Sequence, residues 1–261
     1  MAPKYDFHIH TNVSACAGPA MELAALVAEC ERLGHECIGI TDHLNHPDQL
    51  GRVASLLEAV RRLETPIEVY FGTESNYVPE VGGHTLTAQM KADCGFQFAI
   101  GSHHNLYLPQ GAGLEEIVLT QHRHHLLTCQ NPAMDILGHP WRYLKGTLEL
   151  AGRPATDLRR AMPDELLREL GQASRDTGTA VEINAASFLV NPPEGNPYHA
   201  GYVEFLQVLR EEGATFALGS DAHHVHRLAD ILPAWELAYQ LGLATRIWRP
   251  TSVAASAPGI P

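Results

Sequence analysis

The sequence predicts an α/β fold in which a mainly parallel sheet closes into a (β/α)7 barrel. Short apolar runs alternate along the chain with patterns of helical period, as they do in successive βα units. Seven such units favour a closed barrel over an open sheet, and 261 residues are enough for one barrel domain. We therefore expect a single domain over residues 1–249, followed by a C-terminal tail at 250–261 that is rich in alanine, serine and proline.

The individual elements follow from the apolar runs and from the residues that begin and end helices. The runs predicted as strands are residues 5–10, 37–41, 67–73, 96–101, 134–138, 180–184 and 215–219. The segments predicted as helices are residues 20–33, 47–63, 114–129, 163–177, 202–212 and 228–241, with a weaker pattern at 84–93. Pro163 suits the first turn of a helix, and Gly34 and Gly178 each follow a helical pattern, as left-handed caps do.

Composition narrows the class of protein. A formal net charge of −12 argues against non-specific nucleic-acid binding as the main function. The N-terminus has no apolar segment typical of a secretory signal, and no apolar run approaches the roughly 18 residues that cross a bilayer. A cytoplasmic location is therefore expected. The five cysteines form no CxxC pair, which indicates reduced thiols and not a disulfide framework.

Sixteen histidines are the unusual feature of the composition, and their positions are more informative than their number. An imidazole or a carboxylate lies at or near the carboxyl end of each predicted strand: His8, His10, His43, Glu74, His103, His104, His139, Glu182, Asp221 and His223. In a barrel these ends meet at one rim. Imidazole nitrogens and carboxylate oxygens suit Zn, Mn or Fe, and a carboxylate can bridge two ions. The sequence therefore predicts a multinuclear metal site at this rim.

The remaining histidines occupy less distinctive positions. The helical run at 122–125 is predicted to be a solvated face, and His35, which follows Gly34, is expected in a turn. Candidates for contact with substrate in predicted loops near the rim are His84, His199, His224 and His226. The loops at 76–83 and 188–200 are expected to set specificity, and the second is a candidate to cover the site.

The residues at the strand ends, in this order, resemble the PHP superfamily, the polymerase and histidinol phosphatase domains. The motifs that carry the resemblance are HxH at His8 and His10, TDH at His43, the third-strand Glu74, a GHP-type motif at His139, and SDAH at Asp221 and His223. The similarity spans most of the chain, from Asp6 to about Arg227. It implies a distorted (β/α)7 barrel of the PHP type, in a histidinol-phosphatase-like domain that stands alone.

At two positions the sequence departs from the family pattern or offers a choice between two residues. Cys16 stands where the family usually has His or Asp. Because a thiolate is a good zinc ligand, Cys16 either completes a three-metal site or is an unliganded thiol beside a two-metal site. At the end of the fourth strand the family motif Gly-Ser-x-His selects His104 over His103.

The resemblance implies a metal-dependent phosphoesterase with two or three divalent ions, in which a hydroxide between two ions attacks phosphorus. The implied metal ligands are His8, His10, Cys16, His43, Glu74, His104, His139, Asp221 and His223. Glu74, Asp221 and His223 are also the catalytic candidates. Arg227 is expected to bind a phosphate oxygen, with Arg142 as second choice. Asp42 is expected to orient His43, and Glu182 to orient a ligand imidazole or to bind substrate.

Charge favours an anionic substrate. With these ligands and a bound hydroxide, three divalent ions retain a charge of about +2 to +3 and two ions about +1. We expect hydrolysis of a small phosphomonoester, of which histidinol phosphate is the best-known family example. The alternatives are a phosphodiesterase or nuclease on a nucleotide substrate, which 18 Lys and Arg residues disfavour, and a non-catalytic metal-binding accessory domain. No membrane partner is expected.

Overall fold

A computed structural model describes residues 3–190 and 196–250. Its strands are β1 (Tyr5–Ile9), β2 (Cys37–Ile40), β3 (His43–Leu44), β4 (Glu68–Val78), β5 (Gly83–His84), β6 (Phe98–Ser102), β7 (Ile136–Leu137), β8 (Ala180–Asn184) and β9 (Phe216–Gly219). The main sheet has the order β1-β2-β4-β6-β7-β8-β9, and each neighbouring pair in it is parallel. The short β3 pairs with β4 in parallel, and β5 pairs with β4 in antiparallel.

Helices connect these strands. They are α1 (Leu23–Leu33), α2 (Leu50–Ala54), α3 (Leu57–Arg61), α4 (Ala88–Asp93), α5 (Leu114–Gln130), α6 (Arg142–Leu150), α7 (Thr156–Ala161), α8 (Asp164–Thr177), α9 (Ala185–Phe188), α10 (His199–Glu211) and α11 (Leu232–Gln240). Short 3₁₀ segments cover Pro47–Gln49, Pro79–Val81, Val225–Ile231 and Ala244–Arg246. Within the described residues, no helix is both long enough and apolar enough to cross a membrane.

The sheet is nearly closed into a barrel. The backbone N–H of Asp221, just after β9, donates to the carbonyl of His8 at 2.8 Å, and His10 N–H donates to Ala222 at 3.1 Å. These bonds join the last main strand to the first. The predicted α/β barrel is therefore confirmed, and its interior is packed: the ring of Phe98 fills the space beside Gly72, where a Cβ would lie 2.6 Å from it.

The predicted elements differ from the observed ones mainly in length. Strand β4 continues past the predicted end at residue 73 to Val78, because its second half pairs with β3, β5 and β6 at once. The predicted helix at 47–63 is split into a 3₁₀ turn, α2 and α3. Helices α6, α7 and α9 were not predicted. The proposed tail lies almost entirely outside the described residues, and so does the centre of the predicted rim loop at 188–200, so both stay predictions.

Candidate metal centre

Glu74, in the middle of β4, is the centre of the candidate site. Its side chain is fully buried at the carboxyl end of the barrel, below a cleft of about 560 Å³. Around its two oxygens lie the nearest nitrogens of His43 at 2.6 Å, His139 at 2.9 Å, His104 at 3.3 Å, His8 at 3.4 Å and His10 at 3.5 Å. Imidazoles from β1, β3 and the loops after β6 and β7 thus converge on one carboxylate.

Asp221 provides a second carboxylate from the opposite side of the barrel opening. Its Oδ1 lies 3.4 Å from His10 Nε2, 3.6 Å from His8 Nε2 and 3.7 Å from His223 Nδ1. The backbone of Asp221 has a φ of 58°, and that of His139 has a φ of 24°, both in the left-handed region that non-glycine residues rarely adopt. Backbone strain of this kind is typical of functional sites.

The residues around Glu74 fit divalent metal ions. Several of their buried polar atoms have no hydrogen-bond partner among residues 3–190 and 196–250: His8 Nε2, His10 Nε2, His43 Nδ1 and Glu74 Oε2. Buried polar atoms are normally paired, so unpaired nitrogen and oxygen atoms that face each other fit a site for a cation. Three groups have ligand atoms within 4.8 Å of one another: His10, His43 and His223; His8, His10 and Glu74; and His43, Glu74 and His104. Because these groups share members, they do not fix the number of ions.

The neighbouring imidazoles change the protonation of both carboxylates. Burial would raise the pKa of Glu74, but the positive potential of His43 and His104 holds it well below its usual value. Burial would also raise the pKa of Asp221, but the positive potential of His8 and the close approach of His10 hold it well below its usual value. Both carboxylates are therefore anionic near neutral pH, as metal ligands must be.

The imidazole pKa values are shifted in opposite directions. Burial lowers the pKa of His10 to about 3. Burial opposes protonation of His43 as well, but the negative charge of Glu74 and the neighbouring Cys16 thiol raise its pKa to about 10. The site therefore stabilises the protonated form of one imidazole and the neutral form of another. Metal cations can take the place of the protons that lie between the imidazoles and the carboxylates.

Glu182 supports the site from β8. Its Oε1 accepts a hydrogen bond from His8 Nδ1 at 2.7 Å, so the Nε2 lone pair of His8 is directed towards Glu74. Its Oε2 accepts the backbone N–H of His139. The contact with His8 is the orienting role that was expected of Glu182. Gly219 makes room for it, because a Cβ there would overlap Glu182 Oε1.

Asp42 does not contact the imidazole of His43, contrary to the prediction. Its carboxylate accepts hydrogen bonds from the backbone and hydroxyl groups of Thr11 and Ser14, at 2.6–3.1 Å. The Ser14 hydroxyl in turn accepts the backbone N–H of His43 at 3.1 Å. Asp42 thus fixes the loop after β1 and reaches His43 only through Ser14.

The two predicted phosphate-binding arginines lie in different places. Arg227 pairs with Asp230 at 2.6 Å and is not among the residues that line the cleft, so the structure does not favour its predicted role. The geometry has a local cause, since Arg227 and Asp230 are three residues apart in a 3₁₀ segment. Arg142 lines the cleft, and its Nη1 lies 3.5 Å from Asp221 Oδ2. Arg52 also lines the cleft; no motif in the sequence marked it.

Cys16 lies on the wall of the cleft and is exposed. Its thiol is one of the groups that raise the pKa of His43. Within the described residues it belongs to none of the three groups with metal-binding spacing. Its role as a ligand therefore stays a prediction.

The choice between His103 and His104 follows from their directions. His104 faces Glu74, and its Nδ1 is 3.2 Å from Asn76 Oδ1. His103 is buried and directed towards helix α5. His104 is therefore the one of the two that joins the residues around Glu74.

The predicted solvated face at 122–125 is wrong. His122, His124 and His125 are buried, and Arg123 is the exposed member of the run. The ring of Tyr77 in β4 stacks on His124 at a centroid distance of 4.4 Å, and the ring of His125 meets Trp141 edge-on at 5.9 Å. His122 Nε2 lies 2.8 Å from Glu169 Oε2. Partners distant in the sequence thus bury a run that is polar in composition.

The other histidines considered for substrate contact do not line the cleft. His84 is buried in β5, whereas His199, His224 and His226 are exposed. His35 follows α1 at a turn, as expected, but it is buried, with its ring edge-on to Trp235 at 4.8 Å.

Comparisons with known proteins agree with this geometry. The family model described as "PHP domain" matches residues 6–186. A protein of Caldicellulosiruptor saccharolyticus named "Probable phosphatase" is 28% identical over 224 residues, which are 84% of this chain and 79% of that protein. The Bacillus subtilis DNA polymerase/3'-5' exonuclease PolX is 25% identical over 237 residues, 87% of this chain but 35% of PolX. The crystal structure of histidinol phosphate phosphatase from Lactococcus lactis, complexed with Zn, L-histidinol and phosphate, superposes with a TM-score of 0.61 and 21% identity, covering 92% of this chain and 94% of that one.

Proposed function

Because the chain belongs to the PHP domain family, we propose that it is a metal-dependent phosphatase that hydrolyses a small phosphomonoester. One observation carries the proposal: a fully buried carboxylate, Glu74, has five imidazoles within 3.5 Å of it, and two of these, His43 and His104, line an open cleft. Such a constellation stabilises cations where an anionic substrate can reach them.

Each group around the cleft has a role in the proposed reaction. When bound, two or three divalent ions would supply a nucleophilic hydroxide at neutral pH and neutralise charge on the phosphoryl and leaving oxygens. Glu74 and Asp221 hold the ions from two sides. Glu182 fixes the tautomer of His8, and Asn76 fixes the direction of His104. Arg142, beside Asp221 at the cleft wall, donates to a phosphate oxygen.

The described lining of the cleft favours a small ester over a polynucleotide. Arg52 and Arg142 are its two fixed cations, and with 18 Lys and Arg against 30 Asp and Glu the chain has few basic residues to form a wider basic surface. A nucleic-acid backbone normally requires such a surface. Phosphodiester cleavage remains the alternative because PolX, one of the relatives, is named as an exonuclease. A metal-binding accessory domain is the second alternative.

The function is tested with p-nitrophenyl phosphate, its bis ester and L-histidinol phosphate. The full chain is stripped with EDTA and supplied with Zn²⁺, Mn²⁺ or Fe²⁺, and phosphate or nitrophenol release is followed. We expect metal-dependent turnover of the monoesters that exceeds turnover of the bis ester. Faster cleavage of the bis ester would establish the phosphodiesterase alternative, and turnover of no ester with any metal would favour the accessory domain.

Arg142 and Arg227 give a matched pair of variants. Arg142→Gln should raise KM for p-nitrophenyl phosphate about tenfold or more, since a charge-assisted hydrogen bond contributes about 1.5–3 kcal/mol. Arg227→Gln removes an equal charge from a side chain paired with Asp230 and should leave KM near the wild-type value. Steady-state kinetics check the difference. Equal effects of the two substitutions would mean that Arg142 attracts the substrate only through the overall electrostatic potential of the protein, without a direct hydrogen bond to phosphate.

A further inference from the structure

Four histidines outside the candidate metal centre form a second buried group, which we call the histidine network: His84, His103, His124 and His125. It lies between helix α5, the hairpin of β4 and β5, and the end of β6. The rings of His103 and His124 stack at 5.0 Å, and those of His84 and His103 meet edge-on at 5.3 Å. In the part of the chain that the structure describes, none of the groups with metal-binding spacing includes these residues. The network therefore needs another explanation.

Thr128 of α5 joins two of these imidazoles through one hydroxyl. Its Oγ1 lies 2.9 Å from His84 Nε2 and 2.7 Å from His103 Nε2. Burial lowers the pKa of His84 to about 4, so this ring is neutral near pH 7. Its Nδ1 is 3.1 Å from the carbonyl of Ser75, which only accepts; Nδ1 therefore carries the proton and Nε2 is an acceptor. The Thr128 hydroxyl therefore lies within hydrogen-bond distance of both rings, and its Oγ1 is also 3.0 Å from the carbonyl of His124, one turn earlier in α5.

On both sides of Thr128 the hydrogen bonds lead to a residue that is adjacent in sequence to a candidate metal ligand. Ser75 directly follows Glu74 in β4, and His103 directly precedes His104 at the end of β6. The hydroxyl of Thr128 therefore connects two segments of the barrel to α5: the part of β4 that carries Glu74, and the residues after β6 that include His104.

The fit at this point is close. A Cβ on Gly101 of β6 would lie 2.6 Å from Thr128 Cγ2 and 2.9 Å from His84 Cε1, so a glycine there is required for the approach of α5. On the side facing the cleft, Asn76 Oδ1 is 3.2 Å from His104 Nδ1. A shift of β4 relative to β6 would therefore turn the His104 ring away from its position.

We propose that Thr128 is a positioning residue for the metal centre, and that its hydroxyl fixes Glu74 relative to His104 and so sets the affinity for the ion that these two ligands share. The inference rests on the proposed metal centre, and it gives the buried histidines His84 and His103 a role. Thr128 touches neither substrate nor ion. It acts through hydrogen bonds that end one residue from each ligand.

Thr128→Val tests the proposal, because valine keeps the shape and removes the hydroxyl. The rings of His84 and His103 then lose the oxygen atom that joins them. The full chain is stripped with EDTA and titrated with Zn²⁺ against a chelating indicator, and bound zinc is counted by mass spectrometry. We expect the zinc dissociation constant of the weakest site to rise about tenfold, the lower end of the effect of removing a group that supports a ligand. Thr128→Ser, which restores the hydroxyl, should recover most of the affinity.

Thr179→Val is the matched control. Thr179 is also buried, and its hydroxyl donates to the carbonyl of Cys129 at 3.1 Å, before β8 at the other end of the barrel. It should lower thermal stability without changing zinc affinity. If Thr128→Val does not fold, His84→Asn replaces it, since the shorter side chain loses the contact with Thr128, and the same tenfold rise is expected.

Two results would overturn the proposal: wild-type zinc affinity in the Thr128→Val or His84→Asn protein, or an equal loss of affinity in Thr179→Val. A wild-type chain that binds zinc but hydrolyses no ester would contradict the proposed function and leave this comparison intact. A wild-type chain that binds no divalent metal would contradict both.

Discussion

Glu74→Gln should release most of the bound metal and lower kcat/KM for p-nitrophenyl phosphate at least about a thousandfold. An amide of the same size keeps the packing but loses the negative charge and one acceptor oxygen, so it would hold divalent cations much more weakly. A thousandfold corresponds to about 4 kcal/mol of barrier, the several kcal/mol that metal-ion catalysis supplies. Metal content per chain and steady-state kinetics measure the two effects on the same protein sample.

Cys16→Ala provides the contrast. Cys16 is exposed on the wall of the cleft and belongs to none of the groups with metal-binding spacing in the described residues, so its replacement should remove at most one ion per chain and cost less activity. Circular dichroism is the measurement that checks whether both variants are folded. If Glu74→Gln kept its full metal content, Glu74 would not be a metal ligand and the proposed arrangement of the centre would be wrong.

The residues around Glu74 could be predicted from the sequence because they depend on topology alone. In a parallel barrel the carboxyl ends of all strands meet at one rim, so a histidine at a strand end is placed by the strand and not by its neighbours. His8, Glu74 and Asp221 needed no knowledge of loop conformation. This regularity also made the order of the motifs informative.

The histidine network could not be predicted for the opposite reason. The run at 122–125 has no helical stripe of apolar residues, and its polar composition favours a solvated face. His124 is covered by Tyr77, which reaches α5 because β4 extends to Val78 and turns back as β5, and His125 is covered by Trp141 of the loop after β7. A contact between residues so far apart leaves no periodic signal in either segment.

The arginines show a similar limit. Arg227 lies close to the SDAH element along the chain, and this proximity favoured it as the phosphate-binding residue. A local ion pair with Asp230 takes its side chain elsewhere, whereas Arg142 reaches the cleft from the first turn of α6, a helix the sequence did not predict. The conformations of the loops around a barrel rim decide such cases, and spacing along the chain does not specify them.

Gly219→Ala should damage the metal centre from outside its ligands. A methyl group at this position of β9 would overlap Glu182 Oε1 and lie 2.7 Å from His8 Cβ. Glu182 would then move away from His8 Nδ1 and from the backbone N–H of His139, two contacts that direct these rings. We expect zinc affinity and kcat to fall about tenfold to a hundredfold, the usual cost of losing a residue that orients a ligand.

Stability should fall as well, by about 1–3 kcal/mol for an overpacked core, or roughly 2–4 °C of Tm per kcal/mol in a chain of this size. Gly51→Ala is the control, because it adds the same methyl group in helix α2 with no atom within 4 Å and should leave metal binding unchanged. Thermal unfolding with and without zinc separates the two effects. A Gly219→Ala protein that is less stable yet gains the wild-type increase in Tm from zinc would mean that Glu182 packs against the centre without orienting it.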